Sequence, residues 1–198
     1  TDYFMTITLP NHTAMLTGRP VQGRDGHGWT DNTDPTNNAT LHSHKGSYVA
    51  SVFDVAHDNG LRTGLWSTKT KFSLFSDSYD AAHGAPDTTG ADNGRDKMDD
   101  FKDVPGCTKL TDAFLASMRA APCQFAFVHF GDTDVAGHAK GWGGPEYRAA
   151  LTNIDACIGR ILDLVKTDAR LQNKTVVILT AAIFAMARCY YNWTFVPY

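Results

Sequence analysis

Sulfur ligands, one-signed charge and membrane-length apolar runs are all scarce in this chain. Its four cysteines, Cys107, Cys123, Cys157 and Cys189, show no C-x-x-C spacing and no histidine at zinc-finger distance. That spacing disfavours a sulfur-held zinc module. The net charge is −3 with both signs scattered, so no basic stripe exists for a nucleic acid polymer and no polybasic patch for an anionic lipid surface. No apolar stretch reaches the ~20 residues that a membrane span needs. The most apolar, TVVILTAAIFAMA from Thr175, is interrupted at Arg188. No signal peptide is present, and the first residue is Thr1 rather than Met, which leaves open a beginning that has been removed. Sequons at Asn11, Asn38, Asn173 and Asn192 favour a secreted or periplasmic location. Cys107 and Cys123 flank a predicted helix, where a disulfide and two free thiols are both open.

What is present is enough for one core. A chain of 198 residues at 42% hydrophobic composition reads as a single domain over 1–198. A helical start follows Pro10. Next, SYVASVFDVAHDNG sets Val49, Val52, Phe53 and Ala56 on one face and stops at Gly60, a residue suited to a helix C-terminus. LRTGLWS is a short strand. Residues 77–106 are rich in Asp and Gly without a period, and read as a polar insertion or cap. A helix near 109–120, the strand QFAFVHF, and a long helix from Pro145 follow, the last with Leu151, Ile154, Ile158, Ile161, Leu162 and Val165 at helical spacing. TVVILT, lacking polar alternation, closes the series as a buried strand. Buried strands alternating with amphipathic helices predict an α/β fold, a largely parallel sheet with helices on both faces. Chemistry in such sheets sits at the carboxyl ends of the strands.

Three stretches fall at such ends. In TITLPNHTAMLTGRP, Thr8 ends a predicted strand, Pro10 and Asn11 turn the chain, and Asn11 caps a helix from His12. An anion would be stabilised there by the unpaired amides of the helix start. A plain strand residue followed by an ordinary cap fits the same spacing. In FVHFGDTDVAGHAKGW, Asp134 and His138 are an oxygen and a nitrogen donor of the kind zinc takes. Gly137 between them is expected to allow a tight turn, Asp132 to orient the ligands, and His129 to be packed in the core. Loop acids with a surface histidine are the plain alternative. Lys69 and Lys71 in STKTKFSLF either reach an anionic substrate or are solvated lysines beside a strand.

Taken in order, the TLPNH turn, the downstream TG, HGWTDN, DVAGH, and the helix leading to VVILTA resemble the alkaline phosphatase superfamily, in its type I phosphodiesterase and nucleotide pyrophosphatase branch. The resemblance covers roughly residues 1–181. It implies an incomplete alkaline phosphatase-like fold and a phosphoric ester hydrolase acting on a small phosphate ester with two zinc ions. By the same resemblance Thr8 is the nucleophile and a zinc ligand, Asn32 steadies a non-bridging phosphoryl oxygen, and Asp134 and His138 hold one zinc. Sulfatases of the superfamily carry the cysteine of C-x-P where Thr8 stands, so a sulfate ester is disfavoured.

The pattern is broken at three points. The family's first aspartate ligand lies on a strand before the nucleophile, and here Asp2 is the only acid ahead of Thr8. Where the family reads T-A-D-H-G-G, this chain reads Thr180-Ala181-Ala182-Ile183-Phe184-Ala185. No histidine follows His138, although the terminal YNWTFVPY is similar to the family's next strand. The expectation is therefore a fragment or variant with impaired or absent turnover. A non-catalytic remnant binding an anion near Thr8, and a sulfatase or phosphomutase of the same superfamily, are the alternatives.

Overall fold

The computed structural model describes residues 5–181. Three parallel strands form its centre: β1 (Thr63–Ser67), β2 (Asp100–Asp103) and β3 (Phe125–His129), in the order β2-β1-β3. All five residues of β1 are buried, as a central strand covered on both faces requires. Leu65 pairs with Phe101 on one side and Phe127 on the other. The helices are α1 (Thr8–Thr17), α2 (Leu41–Lys45), α3 (Val52–Asp58), α4 (Ser73–Ser78), α5 (Cys107–Ala120), α6 (Asp132–Lys140) and α7 (Pro145–Thr167).

Side-chain alternation along β1 divides the helices into two layers. Leu65 packs with Leu9 and Leu16 of α1, Phe53 of α3, and Leu74 and Phe75 of α4. Trp66, on the opposite face, packs with Leu110, Phe114, Leu115 and Met118 of α5 and Leu164 of α7. The Trp66 indole meets the Phe114 ring edge-on at 4.9 Å between centroids, a pairing worth about 1 kcal/mol beyond area burial. Gly64 is needed beside it, because a Cβ there would stand 2.4 Å from the indole. The α/β fold expected from the pattern is the one observed.

The α3 helix begins where Ser51 accepts the Phe53 amide and Asp54 reaches back to the Ser51 amide, a reciprocal cap. Gly60, at φ +71°, follows its C-terminus and donates to the His57 carbonyl, the role predicted for it.

Several expectations need correction. Thr8 does not end a strand; it is the first residue of α1. Asn11 is not the cap, because Ile7 occupies that position and Asn11 lies buried inside the first turns. Proline is favourable at the start of a helix as well as in a turn, so Pro10 does not mark the boundary. Thr175–Thr180 carries no regular secondary structure, and Val176, Ile178 and Leu179 are exposed. An apolar run becomes a strand only where a ladder partner and two covering faces are supplied. The span 77–106 contributes β2 to the sheet and the fully buried Lys97 to the interior. Leu151 is exposed on α7. Cys107 and Cys123 are free and buried in different clusters, Cys107 beside Cys157 and Cys123 beside Met118. Among the described residues no helix is long and apolar enough to cross a membrane.

Candidate functional site

Two segments leave the carboxyl ends of the sheet toward one region, the turn after β1 and the turn after β3, and the loop between α1 and α2 brings Asn32 to the same end. Asn32 is the hinge between them. Its Oδ1 accepts the Leu9 amide at 2.9 Å, serving from 23 residues away as the cap that Asn11 was expected to provide. That bond fixes the amide orientation, since only oxygen can accept. The Nδ2 group then remains as a donor beside the α1 N-terminus, whose dipole favours an anion; of the first-turn residues Leu9 and Asn11 already donate, to Asn32 Oδ1 and the Ile7 carbonyl, and Pro10 has no N–H. The HGWTDN loop is held by its own contacts: the Trp29 amide donates to His27 Nδ1 at 3.1 Å, and the indole N–H donates to the Asp31 carbonyl at 2.8 Å. His27 and Trp29 are both buried.

The turn after β1 supplies the two lysines. Lys71 Nζ donates to the Asn32 carbonyl. Lys69 Nζ donates to Asp134 Oδ2 on α6. Burial, reinforced by the neighbouring Lys69, pushes Lys71 below the usual lysine range. The two lysines are therefore in contact with Asn32 and Asp134, residues that the sequence marked separately.

Asp134 and His138 lie on α6, not in a tight turn. Four residues apart on a helix means one face, and Asp134 Oδ1 stands 3.5 Å from His138 Nε2. Two ligand atoms each about 2.1 Å from a tetrahedral zinc stand about 3.4 Å apart. Oxygen and imidazole nitrogen at the observed spacing thus fit two corners of such an ion. The role expected for Gly137 is also revised: it is helical, and a Cβ there would stand 2.7 Å from the Trp142 ring, the ring that meets His138 edge-on at 5.5 Å.

The neighbouring acids and histidines have other work. Asp132 Oδ1 accepts the Cys107 amide at 2.8 Å and so holds the start of α5. His129 stacks on Phe72 at 4.4 Å and meets His12 edge-on at 4.8 Å. Burial, then the nearness of His12 and Lys69, lowers His129 well below the ordinary imidazole value. It is a packed neutral ring, as the strand position suggested. His12, unmarked in the sequence as a site residue, has its value lowered chiefly by burial and holds the Thr8 carbonyl through Nδ1 at 2.7 Å. With a carbonyl as partner, Nδ1 carries the proton.

A second group of donors, His57, Asp58 and Asp87, has ligand atoms within 4.8 Å of one another. It belongs to the other end of the sheet: Thr63, the first residue of β1, accepts nothing from it but donates to the Lys97 carbonyl at 2.6 Å, whereas the lysine pair follows Ser67, about 13 Å along the strand. Nothing periodic in DTTGADNGRDK signals this group. Asp2, Ala182 and Ile183, where the family pattern breaks, lie outside the described residues.

Known structures share this fold. Murine ectonucleotide pyrophosphatase/phosphodiesterase 5 is similar to the chain at a TM-score of 0.56 and 19% identity, over 88% of this chain and 44% of that one. An inactive threonine-to-alanine form of the same murine protein, in complex with AMP, is similar at a TM-score of 0.52 and 17% identity, over 84% and 42%. At these identities the likeness is one of fold, and the chain spans less than half the length of these relatives. No curated protein sequence matches significantly. The family model described as type I phosphodiesterase / nucleotide pyrophosphatase matches residues 1–185, and the chain belongs to that family.

Proposed function

We propose that the chain carries the nucleophile side of a two-zinc phosphoric ester hydrolase site, with Thr8 as nucleophile, and that turnover by the chain as it stands is impaired or absent. The observation that carries this reading is the Asn32 link: one residue, through its side-chain oxygen on the Leu9 amide and its backbone carbonyl on Lys71, ties the helix start beside Thr8 to the lysine turn that reaches Asp134. The inactive murine relative, in which alanine replaces a threonine, supports a threonine as the reacting group. AMP in that complex supports a small nucleotide-type phosphate ester as substrate.

Thr8 opens α1, so an ester phosphate brought to its hydroxyl faces the positive end of the helix dipole. Asn32 Nδ2 donates to a non-bridging oxygen as charge gathers there, and Lys71 adds positive charge from the same side. Displacement by the Thr8 oxygen, with loss of its proton, breaks one ester bond, expels an alcohol or nucleoside and leaves the phosphoryl group on Thr8; water then releases phosphate from a monoester, or the remaining phosphate monoester from a diester, and restores the hydroxyl. A threonine hydroxyl is a poor nucleophile unless its proton is removed. Zinc, when bound, supplies the Lewis acidity that lowers that proton's cost and neutralises the phosphoryl oxygens. Asp134 and His138 would hold one ion. Two protein ligands fall short of the three that catalytic zinc usually has, and Ala182 and Ile183 offer none for a second. Impaired turnover follows from that shortage.

The test is a bis(nitrophenyl) phosphate assay with added zinc on the purified chain. Turnover far below the ~10 per second typical of enzymes, and lost in Thr8→Ala, supports the reading. Turnover retained in Thr8→Ala rejects Thr8.

A further inference from the structure

Lys69 has a more definite position than a solvated lysine would. Its ammonium is on Asp134 Oδ2, while the other oxygen of the same carboxylate faces His138 Nε2 at 3.5 Å. The Lys69 side chain is only 14% exposed, against 31% for Asp134 and 57% for His138. Its path is built into the neighbouring turn. A Cβ at residue 131 would stand 2.6 Å from Lys69 Cε and 3.0 Å from Cγ, so the absence of a side chain at Gly131 makes the channel for the lysine stem. The turn is pinned on both sides: the Gly131 amide donates to Thr68 Oγ1 at 2.7 Å, and the Lys69 amide donates to Ser67 Oγ at 3.0 Å.

We propose that Lys69 is an internal counter-ion for the Asp134–His138 site: it neutralises Asp134 in the metal-free chain, competes with zinc for that carboxylate, and is displaced when zinc binds. The inference rests on the reading of Asp134 and His138 as zinc ligands. An ammonium one hydrogen bond from the ligand carboxylate opposes a dication twice over, by occupying one carboxylate oxygen and by like-charge repulsion across a few ångströms. Zinc on Oδ1 leaves Oδ2 to the ammonium, so the repulsion acts while the pair persists, and moving Lys69 away relieves it. The displaced ammonium, still tethered beside Lys71 by the pinned turn, becomes free for other anions. Zinc affinity of the chain is set in part by residue 69, a residue that donates nothing to the metal.

The experiment is isothermal titration of zinc into the full chain, its Lys69→Met and Lys69→Arg variants, and Asp134→Asn. Lys69→Met is expected to bind zinc about tenfold tighter or more, Lys69→Arg to stay near the parent, and Asp134→Asn to lose binding. Equal or weaker binding by Lys69→Met, with binding lost in Asp134→Asn, overturns the counter-ion and leaves the ligand reading intact. Unchanged binding in Asp134→Asn, or no zinc binding in either the parent or Lys69→Met, sinks the ligand reading itself. A second measurement needs no variant. Acetylation of lysines by an amine-reactive reagent, read by peptide mass spectrometry, should mark Lys69 more strongly with saturating zinc than without. Equal labelling in the two states, with Lys97 unlabelled as the buried control, contradicts displacement.

Discussion

Replacing Lys97 by methionine tests whether the polar stretch before β2 is held by charge. The Lys97 ammonium is fully buried and contacts Asp87 Oδ1, Asp58 Oδ1 at 3.3 Å, the Gly94 carbonyl at 3.1 Å and His57 Nδ1 at 3.4 Å. The Asp87 and Asp58 side chains are themselves 0% and 9% exposed. Methionine keeps the stem and removes the charge, leaving two carboxylates side by side without their cation. Removing one partner of a buried pair costs about 3–5 kcal/mol, a large part of the ~5–15 kcal/mol that holds a domain together. At about 2–4 °C per kcal/mol for a chain of this size, the melting temperature should fall by on the order of 10 °C. Asp87→Asn should cost less, since Asp58 still balances the ammonium.

The pH dependence separates this cause from simple loss of packing. Asp87 is held well below the usual carboxylate value, against its burial, by hydrogen bonds from Lys97 and the Asn93 amide. Its contribution in the parent is therefore present above the unfolded carboxylate value and fades only as pH falls toward the lower folded value. In Lys97→Met the buried Asp87 carboxyl, left with its burial and without the ammonium, titrates above the unfolded value instead. The variant should then regain stability, relative to the parent, as pH drops through that raised range. Urea unfolding followed by tryptophan fluorescence at pH 7.5 and 4.5 measures both. A loss under 1 kcal/mol at neutral pH, or a deficit unchanged in acid, refutes the charge argument.

Further outcomes are expected elsewhere. Asn32→Ala should lower any phosphodiester turnover about a hundredfold, on the order of 3 kcal/mol for one donor to the developing oxyanion, and loosen the head of α1 by about 1 kcal/mol; an unchanged rate with an unchanged melting temperature removes Asn32 from both roles. Gly137→Ala should destabilise by about 1–3 kcal/mol, because the new methyl meets the Trp142 ring at 2.7 Å; thermal melts within 1 °C of the parent would contradict the packing. His12 and His129 stay neutral in the fold, both held below the ordinary imidazole value, so stability is full above about pH 6.5 and declines below it as the unfolded chain takes up protons; a urea midpoint that does not fall between pH 7.5 and 5.5 would contradict this. Burial pushes the thiols of Cys107 and Cys123 up to about 12 and about 11, so both should resist a thiol reagent at pH 8 until urea is added.

Much of the architecture was legible because it rests on periodicity. Val52, Phe53 and Ala56 recur as a helix face, Gly60 ends it, and TGLWS and FAFVH read as buried strands; both are strands, but only TGLWS is buried throughout. What failed was local. Thr8 looked like a strand end because Pro10 reads as a turn, yet proline is equally at home in a helix's first turn, and the donor-acceptor match from Asn32 to Leu9 depends on a contact no spacing encodes. The strand reading of TVVILT failed for a different reason: apolar composition predicts burial only if neighbours exist to bury it. In the site, Asp134 and His138 were legible as a donor pair, whereas the Lys69 contact and its glycine channel required three dimensions. Lys97 was hidden in a span whose composition says surface.

If Asp134 and His138 hold one zinc ion, as proposed, two protein ligands are too few for efficient hydrolysis. Counting zinc bound to the purified chain while following bis(nitrophenyl) phosphate hydrolysis in the same samples tests it most directly. The account predicts at most one ion, bound more weakly than micromolar, lost in His138→Ala, with little or no turnover. Two ions bound below micromolar, or turnover near ~10 per second, would contradict it.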